Sequence, residues 1–244
     1  ALIAALVWGS ADFSGGQATR RLGQYQVLAL SGISGGVVLL LLALLRQESL
    51  PTGMEFGWAA AAGICGALGL GALYRGLASG GAAMVAPVAA VVGASAPLVF
   101  ELVRSQPPSL AQSLGFALAL LGIWLVTQTH ADFHHLRRSG LVLGVTAGLG
   151  FGGFFIFIGL IRSGAVFALL LVSRCATLLP ALALAGLRRE ALPAPQQHPL
   201  ALLAGVLHAG GNILYMLATQ LTRLDVAAVI SSLYPAITVL LALL

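Results

Sequence analysis

The stretch Leu169–Pro180, Leu-Leu-Leu-Val-Ser-Arg-Cys-Ala-Thr-Leu-Leu-Pro, lies inside an apolar run from Ala165 to Leu187 that carries a single charge, Arg174. A run of that length crosses the hydrocarbon core of a bilayer as one helix, because about 20 residues at 1.5 Å each cover roughly 30 Å. Arg174 then falls near mid-membrane. A charge there costs about 2.5–3.5 kcal/mol on insertion scales, so it faces a protein interior or a wet cavity rather than lipid. Two roles fit it: a functional cation on a solute pathway, or a structural arginine that pins helices by donating to their carbonyls.

The same layout occurs earlier in the chain. Leu30-Ser31-Gly32 corresponds to Val172-Ser173-Arg174, and Arg46 falls where Arg188 falls. Trp8-Gly9 matches Phe151-Gly152, Leu73-Tyr74 matches Leu214-Tyr215, and Val88–Pro97 matches Val226–Pro235. The chain reads as two copies of one unit, residues 1–129 and 140–244, divided by the polar connection His130–Ser139. Hydropathy predicts nine spans, at about 1–18, 25–45, 56–79, 82–104, 110–128, 140–161, 165–187, 199–221 and 225–244. The counterpart of Leu110–Gln128 is missing from the second copy, so a tenth helix is expected beyond Leu244. Five helices per copy is odd, so the copies must insert in opposite senses. The predicted fold class is therefore all-α, a polytopic membrane bundle of two inverted five-helix repeats, with a solute site between them near mid-membrane.

Composition excludes the main alternatives. Apolar residues make up 59% of the 244 and charged residues 8%, with a mean hydropathy of +1.01. A soluble domain carries about 25% charged residues. The net charge of +5 comes from twelve arginines against seven acids; apart from Arg174 the arginines stand singly or in pairs towards helix ends, which membrane topology accounts for, and nucleic-acid binding is not expected. Cys65 and Cys175 both fall in spans and read as small packing residues rather than a disulfide or metal pair. No signal peptide is read before the first span.

Candidate site residues follow from polar groups stranded in apolar runs. In the first span Trp8, Asp12, Gly15, Gly16 and Thr19 share a face by their spacing of four, seven, eight and eleven. Asp12 is the one acid well inside a span; it suits a pair with Arg174, a cationic solute group or a coupling proton. In the eighth, His208, Gly211, Asn212, Tyr215 and Thr219 form a stripe that fits a cavity wall or interhelical hydrogen bonding. Tyr74 is the repeat partner of Tyr215 and is expected to face it across the centre. Arg75 points elsewhere, towards a helix end, and is free to snorkel. Phe151, Phe154, Phe155 and Ile158 make an aromatic face, suited to the apolar side of a pocket, to core or to lipid. Gly32-x-x-x-Gly36 and Gly144-x-x-x-Gly148-x-x-x-Gly152 allow close helix approach. Glu101, Asp132, Glu190 and Asp225 stand at ends or connections, where solvation is expected. His130, Asp132, His134 and His135 need no metal in a short polar connection, and no metal or cofactor is expected. The glycine-rich Gly148–Gly153 follows no strand and is not a nucleotide loop. No His-Glu-x-x-His and no Ser/His/Asp signature occurs, so an enzyme is not expected.

Trp8-Gly9-Ser10, the Tyr-containing third and eighth spans, and Pro97 and Pro235 after Val/Ala/Ser-rich runs resemble the EamA-type members of the drug/metabolite transporter superfamily. The segment Val226–Leu244 carries the resemblance furthest. It implies ten helices, cytoplasmic termini, an inner or plasma membrane location, and a central cavity open to each side in turn. It also implies carriage of small metabolites, often outward: amino acids, related compounds or drugs. The Arg count on the two sets of connections, six against four, would place the N terminus outside; against so small a bias the orientation that the resemblance implies is preferred. The Gly-Glu common near the end of the family's fourth helix is replaced here around Gln106, so no functional glutamate is carried over. The expectation is a secondary transporter with Trp8, Asp12, Tyr74, Arg174, His208, Asn212 and Tyr215 on the pathway. Arg174 would hold a solute carboxylate or neutralise Asp12 when the site is empty. Its partners would be a small-molecule solute and the lipid bilayer, with proton coupling and oligomeric state open. A non-transporting subunit or sensor that keeps the fold is the alternative; it would pack the Arg174 and His208 faces dry.

Overall fold

In lipid a backbone can bond only to itself or to protein, so apolar segments of this length fold as helices. The computed structural model describes residues 1–79, 82–104, 107–127, 137–162, 164–187, 189 and 191–242. Gln106, His130, Asp132, His134, His135, Arg188 and Glu190 lie outside them. The helices are α1 (Leu2–Ala18), α2 (Gln24–Leu45), α3 (Gly53–Ala78), α4 (Ala82–Arg104), α5 (Leu110–Thr127), α6 (Arg137–Leu160), α7 (Val166–Leu187), α8 (Pro199–Leu221), α9 (Leu224–Ser231) and α10 (Tyr234–Ala242). Among the described residues, seven segments are long and apolar enough to cross a membrane: 24–45, 53–76, 84–104, 139–160, 166–187, 199–221 and 224–242.

The last of these is not the continuous helix the sequence suggests. It breaks at Ser232-Leu233, between α9 and α10. Pro235 has no N–H to continue the ladder, and its ring crowds the carbonyl four residues earlier. The chain tightens instead, with Leu233 N–H donating to Ile230 O at 3.3 Å and Ala236 N–H to Leu233 O at 3.0 Å. Thr238 Oγ1 anchors α10 by donating to Gly9 O of α1 at 3.1 Å. In α4 the matching proline, Pro97, and the earlier Pro87 both leave the helix unbroken.

Leucines line the outside of the bundle, Leu41, Leu68, Leu118, Leu149 and Leu179 among them, while alanines, glycines and aromatics fill the inside. This suits lipid, where helix association depends on close packing rather than on hiding apolar surface. In α6, a Cβ on Gly144, Gly148 or Gly152 would come within 2.7, 2.5 and 2.5 Å of Val88, Val92 and Ala96, so this glycine ladder seats α4. At Gly63 a Cβ would overlap Ser173 O, and at Gly205 it would overlap Ser31 O. Those two glycines set the α3–α7 and α2–α8 crossings.

The main neighbours of α1 to α4 all come from the second half of the chain. α1 packs on α8, α2 on α7 and α8, α3 on α6 and α7, and α4 on α6. Exchanging the halves turns α1–α8 into α6–α3, and α2–α8 into α7–α3. It turns α4–α6 into the contact of α1 with α9 and α10.

Candidate functional site: a central cavity with a buried cation

Six helices enclose a cavity at the centre of the bundle. Trp8 and Asp12 reach it from α1, Gly66 and Leu70 from α3, and Phe151, Phe154 and Phe155 from α6. Ser173, Arg174 and Thr177 come from α7, His208 and Asn212 from α8, and Tyr234 from the start of α10. The cavity volume is about 60 Å³.

One wall is aromatic. The Trp8 ring lies over Gly211, where no side chain stands in its way, and Phe151 lies over Gly69. Trp8 packs against Phe154, Phe155, Tyr215 and Tyr234 at centroid distances of 6.2, 5.6, 5.5 and 6.4 Å. Of the α6 face read from the sequence, Phe151, Phe154 and Phe155 line the pocket, while Ile158 is buried in the core beside them. Trp8 is also held by its tip, donating from Nε1 to Asn212 Oδ1 at 2.9 Å. That bond fixes the ring against α8.

The opposite wall is charged. Arg174 is 5% exposed, and among the described residues neither its Nε nor its Nη2 has a hydrogen-bond partner. Its stem crosses α2 at Gly35 and Gly36; a Cβ on Gly35 would lie 3.3 Å from Nε, and one on Gly36 3.7 Å from Cγ. Small residues on α2 thus leave the groove in which this side chain lies. The Asp12–Arg174 pair, one of the readings the sequence allows, does not form. Asp12 Oδ1 stands 3.4 Å from His208 Nε2, an ion-pair distance without the alignment of a hydrogen bond. The geometry favours this partner because α1 packs directly on α8, whereas α7 lies against α2 and α3. Tyr234 Oη is a further buried hydroxyl without a partner.

Five of the seven expected residues, Trp8, Asp12, Arg174, His208 and Asn212, therefore share this cavity. The two tyrosines do not line it, and they do not face each other. Tyr74 belongs to a core cluster with Leu70, Leu73 and Val85, against Gly15, its hydroxyl unpartnered. Tyr215 is sealed beneath the aromatic wall, donating to Phe155 O at 3.1 Å. Thr219, at the end of the same stripe, bonds back to Met216 O. Tyr215→Phe should thus cost about 1 kcal/mol of stability, the worth of one neutral bond, in thermal unfolding. Transport should be unchanged.

Thr177 bridges the cavity to a wider cleft of about 400 Å³, lined by Tyr25 and Leu28 of α2, Gly71 and Arg75 of α3, Thr146 of α6 and Pro180 of α7. The opposite ends of these four helices are tied. After α2 the chain turns through Gln47 at φ 54°, with Glu48 N–H donating to Ala43 O at 3.0 Å and Gln47 N–H to Leu44 O at 3.1 Å. This left-handed helix stop aims Glu48 at the start of α7, where Oε2 accepts from Ala168 N–H at 2.7 Å. Glu55, in the first turn of α3, accepts from Arg162 N–H at 3.0 Å. Neither glutamate stands out in the sequence, because a carboxylate near a helix end looks solvated. Asp225 is a correction of the same kind: it is 0% exposed, held by Arg223 at 3.1 and 2.9 Å and by Val226 N–H at 2.8 Å. The bond to Asp225 holds the Arg223 guanidinium above its usual range.

None of the curated proteins matches the chain. The model of the EamA-like transporter family matches residues 1–128, more than half of the 244. With a polytopic helical membrane bundle around a polar central cavity, the chain belongs to the EamA-like transporter family.

Proposed function

We propose that this protein is a secondary carrier, working outward across the inner or plasma membrane, that passes a small polar or amphipathic metabolite through the central cavity. Amino acids and related compounds, or drugs, are the solute classes proposed. The observation that carries this reading is a cavity pairing an aromatic wall with an unpartnered buried guanidinium and the Asp12–His208 pair. The space around Arg174 and His208 supports a carrier over a non-transporting subunit or sensor, which would pack those faces dry. The exchange of helix contacts between halves supports reading residues 1–129 and 140–244 as inverted repeats.

Alternating access is the proposed mechanism, with one repeat rocking against the other. Its support is that α2, α3, α6 and α7 are tied at one end by Glu48 and Glu55 and part around a cleft at the other. Replacing both glutamates with glutamine should weaken the tied end, because a neutral amide oxygen is the poorer acceptor. Hydrogen exchange at the Ala168 and Arg162 amides should rise by roughly tenfold. Unchanged exchange would mean the two bonds do not hold that end shut.

Counterflow in proteoliposomes, with a panel of labelled amino acids and related metabolites, tests the function. Accumulation of one solute against its unlabelled form is the expected result. Absence of exchange for every solute, from protein shown to be folded and with the cavity open to water, would count against the carrier reading.

A further inference from the structure

We infer that the free edge of Arg174 is the seat of a carboxylate, and that the solute is a small organic acid with an apolar or aromatic body. The inference rests on the carrier reading, since it treats this cavity as the solute site.

The two unpartnered nitrogens, Nε and Nη2, are not an arbitrary pair. They lie on the same side of the guanidinium, and their N–H bonds run nearly parallel. That side-on fork matches the two oxygens of one carboxylate, and the bonds it makes are charge-assisted and bidentate. A structural arginine would have spent this fork on carbonyls, and none accepts from it here. Among the described residues no carboxylate forms an ion pair with Arg174: the cavity's own carboxylate, Asp12, stands with His208 instead. A guanidinium at 5% exposure without an anion is costly, so the site is built for one that arrives with the solute.

The remaining walls describe the rest of the molecule. Phe154, Phe155 and Trp8 offer ring faces and edges to an apolar body. Tyr234 contributes a hydroxyl with no partner of its own. A cavity of about 60 Å³ suits a compact acid rather than a long chain.

The test compares 3-phenylpropanoate with 3-phenylpropanamide, which share a body and differ in charge. Binding is measured by titration calorimetry on the whole protein in nanodiscs. The acid should bind roughly thirty-fold or more tightly than the amide. Arg174→Gln should erase that difference, and Arg174→Lys, which keeps the charge but loses the fork, should restore only part of it. Equal binding of acid and amide by the wild-type protein would overturn the inference, with no need of a variant that folds. So would full discrimination in a folded Arg174→Gln protein. The two readings fail separately: counterflow of an uncharged or cationic solute would leave a carrier without this site, whereas discrimination without counterflow of any acid would leave a binding site without a carrier.

Discussion

Asp12→Ala is expected to abolish counterflow and to destabilise the protein by about 3 kcal/mol. Asp12 is 5% exposed and His208 is 7% exposed, so neither group can recover its lost partner from bulk water. Removing the carboxylate leaves His208 Nε2 facing an apolar methyl where Oδ1 stood at 3.4 Å. It also removes the carboxylate from the cavity lining, which would then hold Arg174 with no acidic side chain beside it. A double-mutant cycle separates pairing from general damage. Asp12→Asn combined with His208→Gln should be less harmful than the sum of the two, with a coupling of about 1–3 kcal/mol in denaturant unfolding. Wild-type flux and stability in Asp12→Ala would show that the two groups do not act as a pair.

Gly205→Val should yield no folded carrier. A Cβ at this position would overlap the carbonyl of Ser31 and the Ser34 hydroxyl, so the first atom added already pushes α8 off α2. The obstruction on one side is backbone, which cannot turn aside as a long side chain can. Ser34 also donates to Leu202 O at 2.8 Å across the same crossing, so the displacement would break that bond too. Because Arg174 lies on Gly35 of α2, separating α2 from α8 would also open the groove that holds the guanidinium. Size-exclusion chromatography after extraction should show aggregate in place of a symmetric peak. Gly57→Ala and Gly186→Ala are the controls, since a Cβ there meets nothing within 4 Å. Both should be neutral or stabilising by up to about 1 kcal/mol, because alanine is the better helix former. Normal folding of Gly205→Val would mean that the α2–α8 crossing tolerates separation.

The sequence alone was enough for the helices and for most of the polar site. An apolar run of bilayer length forms a helix wherever it lies in the fold, because its backbone must bond within itself. A charge such as Arg174 or Asp12 inside such a run must turn away from lipid, so it is recognisable from its neighbours in the chain. The same logic placed His208 and Asn212. Tertiary structure alone decided which groups meet. A helical face says which residues point together, but not how that helix is rotated against the next. That rotation is set by contacts distant in sequence, such as Gly205 on Ser31 and Gly63 on Ser173. Those contacts gave Asp12 to His208 rather than to Arg174, and sealed Tyr74 and Tyr215 away from the cavity. They brought in Tyr234, Thr177 and the two tying glutamates, which no local pattern distinguishes from a packed tyrosine, a packed threonine or a solvated end. The paired prolines show the same division. Pro97 and Pro235 occupy matching places in sequence, yet only the second stands in a break, where Thr238 bonds α10 to the backbone of α1.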